Sequence, residues 1–233
     1  MPLSAPFAHI RTWIFDLYNT LYPKRSELFP QVERRIGEYV ARHLNLAPDA
    51  AWRVQKSLFR EHGTTMRGLM VEHGVDPHDF LAYAQDIDYG RLEPNPELDG
   101  LLAALPGNKL VYTNGSTDHA RKVLAQLGVT RHFGGIFDIV DGDFRPKPDP
   151  VPFAAMVARH GIDPRSAVFV EDLARNLEPA AALGMTTVWL RHDGPDWQRA
   201  QPGDDFVHHI IDDLDLWLAG LVKALPPSPP ASD

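Results

Sequence analysis

The chain alternates short, almost uninterrupted apolar runs with longer segments whose apolar residues recur at helical spacing. The runs fall at Thr12–Phe15, Lys109–Thr113, Ile136–Val140, Ala167–Val170 and Thr186–Leu190. Each is too short for a helix and lacks the polar alternation of a half-exposed strand, so each reads as a strand buried on both faces. Buried strands joined by helical crossovers make a parallel sheet covered by helices on both sides, an α/β fold.

The rhythm is interrupted once. Between residues 24 and 92 the strand-like runs vanish, and "FPQVERRIGEYVARHL", "DAAWRVQKSLFREHG" and "DPHDFLAYAQDI" all show helical spacing. This stretch reads as a helical insert in a core formed by residues 1–23 and 93–225. Proline-bearing linkers bound it, "LYPKRS" on the way out and "RLEPNPEL" on the way back. "EHGVDP" and "RHGIDP" are helix stops at Gly followed by Asp-Pro opening the next element. The Pro-rich tail, residues 226–233, is expected to be disordered.

With 233 residues, 44% hydrophobic and 23% charged, the chain has enough apolar material for a full core plus such an insert. A net charge of −8 argues against nucleic acid or an anionic membrane surface as the partner. The absence of Cys removes disulfides, thiolate nucleophiles and Cys-based zinc sites. No stretch approaches the ~18 consecutive apolar residues of a membrane span, and no leader pattern is visible, so the expectation is a soluble cytoplasmic protein. The sequence sets no oligomeric state.

Four separated stretches carry candidate chemistry. Asp16 closes the first strand in "WIFDLYNTLYP"; Thr113 closes the second in "LVYTNGS"; Lys147 sits in "RPKPDP"; Glu171 and Asp172 close the fourth in "VFVEDLARN". Each has an ordinary explanation: a strand-ending Asp caps a helix, a Thr before Asn-Gly belongs to a turn, and acids before a helix serve its dipole. Together, all at the carboxyl edge of one parallel sheet, they converge on a site. Phosphoryl transfer through an enzyme carboxylate accounts for the set. Asp16 attacks phosphorus, Mg²⁺ is held by Asp16, Asp172 and Glu171, and Thr113 with nearby backbone N–H groups holds phosphate oxygens, while Lys147 balances charge. Asn176 is a candidate supporting group, with an exposed position on the following helix the equally good reading.

These motifs, with "TLYP", "EHGTTMRGLM" and "FVEDLARNLEPAAALGMTTVW", resemble the haloacid dehalogenase superfamily of hydrolases, and within it the bacterial pyrimidine 5′-nucleotidase-like branch. The family's first motif, Asp-x-Asp-x-Thr, falls on Asp16, Tyr18 and Thr20; its second on Thr113, beside Asn114 and Gly115; its third on Lys147; its fourth on Glu171 and Asp172. The resemblance implies a Rossmann-like three-layer core with a mainly parallel sheet and an inserted helical cap. It also implies Mg²⁺ dependence and hydrolysis of a small phosphorylated substrate, a nucleotide among the candidates, with Asp16, Tyr18, Thr113 and Lys147 catalytic. Thr113, Asn114, Gly115 and Lys147 would then hold phosphate, Asp16, Glu171, Asp172 and the Tyr18 carbonyl the metal, and Thr20 with Asn176 would support them.

Tyr18 is the departure, because the family's phosphatases carry there a second Asp that protonates the leaving oxygen and then activates water. A carboxylic acid titrates near about 4 and a phenol near about 10, so Tyr18 is able to donate a proton but is a poor base at neutrality. Asp-x-Tyr does occur in 2-haloacid dehalogenases, where the Asp attacks carbon and no metal is needed. Those enzymes replace the fourth-motif acids, however, and Glu171 with Asp172 would repel a carboxylate substrate in the absence of a cation. A third reading is a catalytically weak protein that binds phosphorylated ligands. In the insert, Phe59, His62, Thr64, Thr65, Arg67 and Tyr83 are the candidates for substrate contact, although such residues at helical spacing more often form core.

Overall fold

The computed structural model describes residues 7–22, 26–192 and 204–224; the proposed tail at 226–233 and Pro23 to Arg25 of the first linker lie outside the described residues. The described strands are β1 (Thr12–Phe15), β2 (Asn108–Tyr112), β3 (Gly135–Phe137), β4 (Ala167–Glu171), β5 (Thr186–Leu190) and β6 (His209–Ile211). They form one sheet in the order β3-β2-β1-β4-β5-β6, and every neighbouring pair is parallel. This is the α/β Rossmann-like arrangement expected from the alternation of buried runs and helices.

The side-chain alternation along each strand builds two cores. Trp13 and Phe15 of β1 join Val111, Val168, Val170, Val188 and Leu190 on one face, while Ile14 joins Leu110, Tyr112, Phe169 and Trp189 on the other. Helices α5 (Pro96–Ala104), α6 (Thr117–Leu127) and α9 (Leu214–Ala224) cover the first face, and α7 (Pro150–His160) and α8 (Glu178–Ala182) the second. Because β1 and β4 are covered on both sides, all their residues are buried, and apart from Thr12 and the site residue Glu171 they are apolar.

Between β1 and α5 the chain forms α1 (Leu28–His43), α2 (Pro48–His62), α3 (Thr65–His73) and α4 (Pro77–Ala84). Their apolar faces make a third cluster, including Tyr39, Val40, Leu58, Leu69 and Phe80, into which Ile139 and Phe144 reach from the loop after β3. The Gly–Asp–Pro reading holds at both places. Gly74 ends α3 in the left-handed region and Asp76 caps α4, accepting from the His78 N–H; Gly161 ends α7, and Asp163 caps the 3-10 turn at Pro164–Ser166. Gly63, at φ 82, closes α2 beside Pro146, where a Cβ would already touch that ring at 3.4 Å. The α2–α3 turn is thereby seated against the loop that carries Lys147.

Two strand expectations are corrected. The run at Ile136–Val140 pairs only as far as Phe137, because the Asp138 carboxylate accepts from the N–H groups of Val140 and Asp141 and so turns the chain. Its second oxygen accepts from Thr117 N at 2.6 Å, which ties that turn to the start of α6. The short edge strand β6 was not anticipated. No helix among the described residues is long and apolar enough to cross a membrane.

Ile14, fully buried between β2 and β4, measures what the central strand contributes. Ile14→Ala is expected to lower stability by about 2–5 kcal/mol in urea unfolding, with the native secondary structure retained at zero denaturant.

Candidate active site

The strand order places the site. β1 and β4 are neighbours but their following segments diverge, which opens a crevice at the carboxyl ends of the strands. Asp16 follows β1 directly, its N–H bonded to Val170 O at 2.9 Å, and Glu171 is the last residue of β4 with Asp172 next to it. The separation of adjacent strands, about 4.8 Å, brings the carboxyl groups together without any loop having to reach. Oxygens of Asp16, Glu171 and Asp172 lie within 4.8 Å of one another, and all three residues are buried.

Lys147 enters this cluster from the loop after β3. Its Nζ donates to Asp16 Oδ1 at 2.6 Å, to Glu171 Oε2 at 2.6 Å and to Tyr112 O at 3.0 Å, and the rings of Tyr112 and Phe169 lie 5.1 and 5.4 Å from the ammonium. The Lys147 N–H donates to Asn114 Oδ1 at 2.9 Å, fixing the loop to the end of β2. Burial by itself would lower the lysine's pKa, but the two carboxylates more than offset it, and the group stays charged with a raised pKa.

One ammonium faces three carboxyl groups, so the cluster carries excess negative charge. Burial, then the neighbouring Glu171 charge, pushes Asp16 up to about 7 despite Lys147, and burial with Glu171 and Asp16 pushes Asp172 well above the carboxylate range. Asp16 Oδ2 is buried with no protein partner. An all-oxygen donor set with surplus negative charge and an unpartnered oxygen fits a hard divalent cation such as Mg²⁺ rather than zinc. Asn19, at φ 54, donates its amide to Asp172 Oδ2 at 3.3 Å, and its carbonyl lies 2.7 Å from His192 Nε2. The Asp172 carbonyl accepts from Trp189 Nε1 at 2.9 Å.

Tyr18 stands at the side of this cluster. Its ring stacks on His119 at 5.0 Å and meets Phe29 edge-on, and its hydroxyl accepts from Gln85 Nε2 at 2.9 Å. Ser116 Oγ in turn donates to Gln85 Oε1 at 2.5 Å, and Tyr89 OH bonds the Gln85 carbonyl and lies 2.7 Å from His119 Nδ1. Burial raises the Tyr18 pKa above that of a free phenol and drives the His119 imidazole down to about 3, so both are neutral at neutral pH. Gly115 is where this packing shows in the sequence: a Cβ there would lie 2.8 Å from Tyr18 Oη and 3.0 Å from Gln85 Nε2.

A cavity of about 720 Å³ opens above the carboxylates, between them and the helices of residues 28–84. Asp16, Tyr18, Asn114, Lys147, Glu171, Asp172 and Asn176 all line it. Asn176 is buried with its Oδ1 unpartnered, and does not occupy the exposed helix position allowed for it. Thr20 is also buried, its Oγ1 without a partner. Thr113 is fully buried outside the lining and its Oγ1 accepts from Gly115 N at 3.0 Å, which is turn chemistry. Of the insert candidates, Phe59, Thr64 and Thr65 line the cavity; His62 pairs with Glu72, and Tyr83 packs under Arg35. Arg67 is not in the lining either. Gln85 and Asn19 were missed. Asn19 sat within the first motif, and nothing in the sequence singled out Gln85.

Residues 10–184 match the family described as haloacid dehalogenase-like hydrolase. Phosphate metabolism protein 8 of Saccharomyces cerevisiae is 28% identical over 193 residues, 75% of this chain, and the match spans 60% of the yeast protein's length. Phosphoglycolate phosphatase of Haemophilus influenzae is 30% identical over 78% of this chain and 91% of its own. Among solved structures, a HAD phosphatase from Thermococcus onnurineus superposes with a TM-score of 0.61 at 21% identity, over 92% of this chain and 97% of that one. L-2-haloacid dehalogenase from Xanthobacter autotrophicus, with chloropropionic acid covalently bound, gives 0.57 at 18% over 93% and 100%. The family match over most of the chain, on a fold and a carboxylate cluster that suit it, shows that this protein belongs to the haloacid dehalogenase-like hydrolases.

Proposed function

We propose that the protein is a Mg²⁺-dependent phosphomonoester hydrolase in which Asp16 forms the covalent intermediate and residues 24–92 act as the cap. The observation that carries this reading is the buried triad of carboxyl groups served by a single lysine, with one Asp16 oxygen unpartnered. A reaction on a dianionic phosphate is unworkable against such a cluster unless the charge is offset, and the donor set matches the cation that would do so. When bound, Mg²⁺ would be held by Asp16, Asp172, Glu171 and the Tyr18 carbonyl and would supply charge neutralisation at the phosphoryl group.

The chain's own residues then divide the work. Lys147 holds the Asp16 carboxylate in place and offsets its charge. The Asp16 oxygen attacks phosphorus, the ester bond breaks, and the leaving oxygen departs with the bonding pair; water then attacks the aspartyl phosphate, releasing phosphate and restoring Asp16. Asn114 lines the cavity with its Oδ1 held by Lys147 N, so its amide N–H would meet a phosphate oxygen, and Thr113 shapes the turn that carries it. Tyr18 occupies the acid/base position, with its hydroxyl already accepting from Gln85. Burial raises the phenol's pKa, so proton transfer to the leaving group is weak, and esters whose leaving groups need little protonation are favoured over nucleoside monophosphates.

The similarity to the Haemophilus influenzae phosphoglycolate phosphatase supports a small phosphorylated substrate, and the sequence resemblance keeps a pyrimidine nucleotide among the candidates. Tyr18 is the one observation that favours a haloacid dehalogenase. Glu171 and Asp172 weigh against it, because a 2-haloacid carboxylate would enter a site that already carries surplus negative charge.

Three outcomes are expected. Asp172→Ala should weaken Mg²⁺ binding in a calorimetric titration, and an unchanged affinity would remove Asp172 from the metal site. Tyr18→Asp should raise phosphate release from a pyrimidine monophosphate by roughly 10²–10⁴. Metal-independent halide release from a 2-haloacid by the parent, lost in Tyr18→Asp, would instead establish the dehalogenase. The third concerns pH. Because the folded protein raises the Asp16 pKa to about 7, it holds that proton more tightly than the unfolded chain, so the stabilising contribution is complete at low pH and is lost as pH climbs toward about 7. The melting temperature of chelator-treated protein should fall between about pH 4 and about pH 7, and Asp16→Asn should flatten that fall.

A further inference from the structure

The cavity above the carboxylates has a composition that the hydrolytic chemistry does not require. Its apolar walls come from four helices: Phe29 and Val32 of α1, Trp52 and Phe59 of α2, Met66 of α3, and Phe80 of α4. Phe29 stands edge-on to Tyr18, so the apolar wall runs without a break to the side of the reacting carboxylate. Trp52 lines the cavity while remaining 58% exposed, so its ring is open to a ligand there.

Polar side chains also line the chamber, but most are already engaged. Lys56 is paired with Glu33; the Gln55 amide donates to the Glu33 carbonyl; the Thr65 hydroxyl donates to the Gln55 carbonyl; Ser57 bonds Glu61; and Gln85 holds Tyr18. A sugar or other hydroxylated body set against these engaged side chains would regain few hydrogen bonds there, its open partners in the lining including Asn176 Oδ1 and the exposed Arg53 and Arg60. Arg53 and Arg60 line the cavity from exposed positions and give its solvent side a positive charge suited to an arriving dianion. A volume of about 720 Å³ is in the range of pockets for ligands of many heavy atoms, and a two-carbon ester would leave most of it to water.

Resting on the phosphohydrolase reading above, we infer that the substrate is an aryl phosphate monoester whose aromatic, largely apolar leaving group sits against the walls formed by α1, α2, α3 and α4. Selection is by burial: each ring added to the leaving group covers more of the wall and lowers KM, while the phosphoryl group occupies the same place over Asp16.

Phosphate release by the parent protein with Mg²⁺, from 1-naphthyl phosphate, phenyl phosphate, ribose 5-phosphate and acetyl phosphate, tests this. The two aryl esters have leaving groups of similar acidity, so they separate size from ease of departure. The fused ring should raise kcat/KM roughly tenfold over phenyl phosphate, through KM with kcat little changed. Ribose 5-phosphate should be the poorest substrate. Phe59→Ala should lower kcat/KM for 1-naphthyl phosphate about tenfold more than for acetyl phosphate. Binding of the non-hydrolysable 1-naphthylmethylphosphonate, followed by calorimetry, gives a readout independent of turnover and should weaken in the same variant. Equal kcat/KM for the two aryl esters, a preference for ribose 5-phosphate, or unchanged phosphonate binding in Phe59→Ala would overturn the inference and leave the phosphohydrolase reading standing. Failure to release phosphate from any of the four, acetyl phosphate included, would overturn both.

Discussion

The ammonium of Lys147 is the interaction on which the rest of the site depends. Three carboxyl groups at the ends of two adjacent strands are forced close by the strand spacing, and Lys147 alone among the described residues ion-pairs with two of them, Asp16 and Glu171. Removing one partner from a buried ionic cluster typically costs several kcal/mol, because the remaining charge keeps its desolvation penalty. The aromatic rings of Tyr112 and Phe169 beneath the ammonium exclude water, and the bond from Lys147 N to Asn114 fixes the loop from which the side chain enters. The carboxyl edge of the sheet is therefore organised by a residue that belongs to no strand.

How much of this was legible follows the range of the interactions. The parallel sheet was readable because strands buried on both faces read as nearly continuous apolar runs, as β1 does after Thr12 and β4 before Glu171. Asp16, Glu171 and Asp172 were readable because each ends such a strand. The end of β3 was not, because the run from Ile136 to Val140 looks continuous until Asp138 is seen bonding its own neighbours' N–H groups. The burial of Asn176 was open to two readings, since a polar residue just after a motif gives no sign of which way the chain will turn it. Gln85 was invisible: its partner Tyr18 is 67 residues away, and a glutamine at the end of an amphipathic helix carries no pattern of its own.

Tyr18 also shows how a motif substitution spreads into packing. A phenol is longer than a carboxylate, and its hydroxyl reaches Gln85 at the end of α4, which is itself bonded by Ser116 at the start of α6. The same ring lies flat on His119, whose Nδ1 meets Tyr89. Tyr18, proposed for the acid/base position, thus also ties the helices of residues 28–84 to the sheet edge. Gly115 accommodates the ring, and a side chain there would collide with both partners. A change at position 18 consequently alters proton transfer and the seating of α4 together, and kinetic effects of such a change are read correctly only alongside a measure of folding.

The apolar chamber and the charged cluster depend on each other through the dielectric. Water above the carboxylates would screen the attraction between Lys147 and Asp16 and weaken any cation held there, whereas an apolar body filling the chamber would displace that water and strengthen both. On the proposed reading, the leaving group would contribute to chemistry without touching the reacting atoms, its burial setting the polarity in which phosphorus is attacked. A cavity walled by Phe29, Val32 and Phe59 and floored by Asp16 and Lys147 is organised for that coupling, since its apolar and ionic parts adjoin along one continuous surface. On the same reading, a small polar ester would bind to the floor alone and leave the walls wet, gaining the ionic contacts but not the dry surroundings that make them strong.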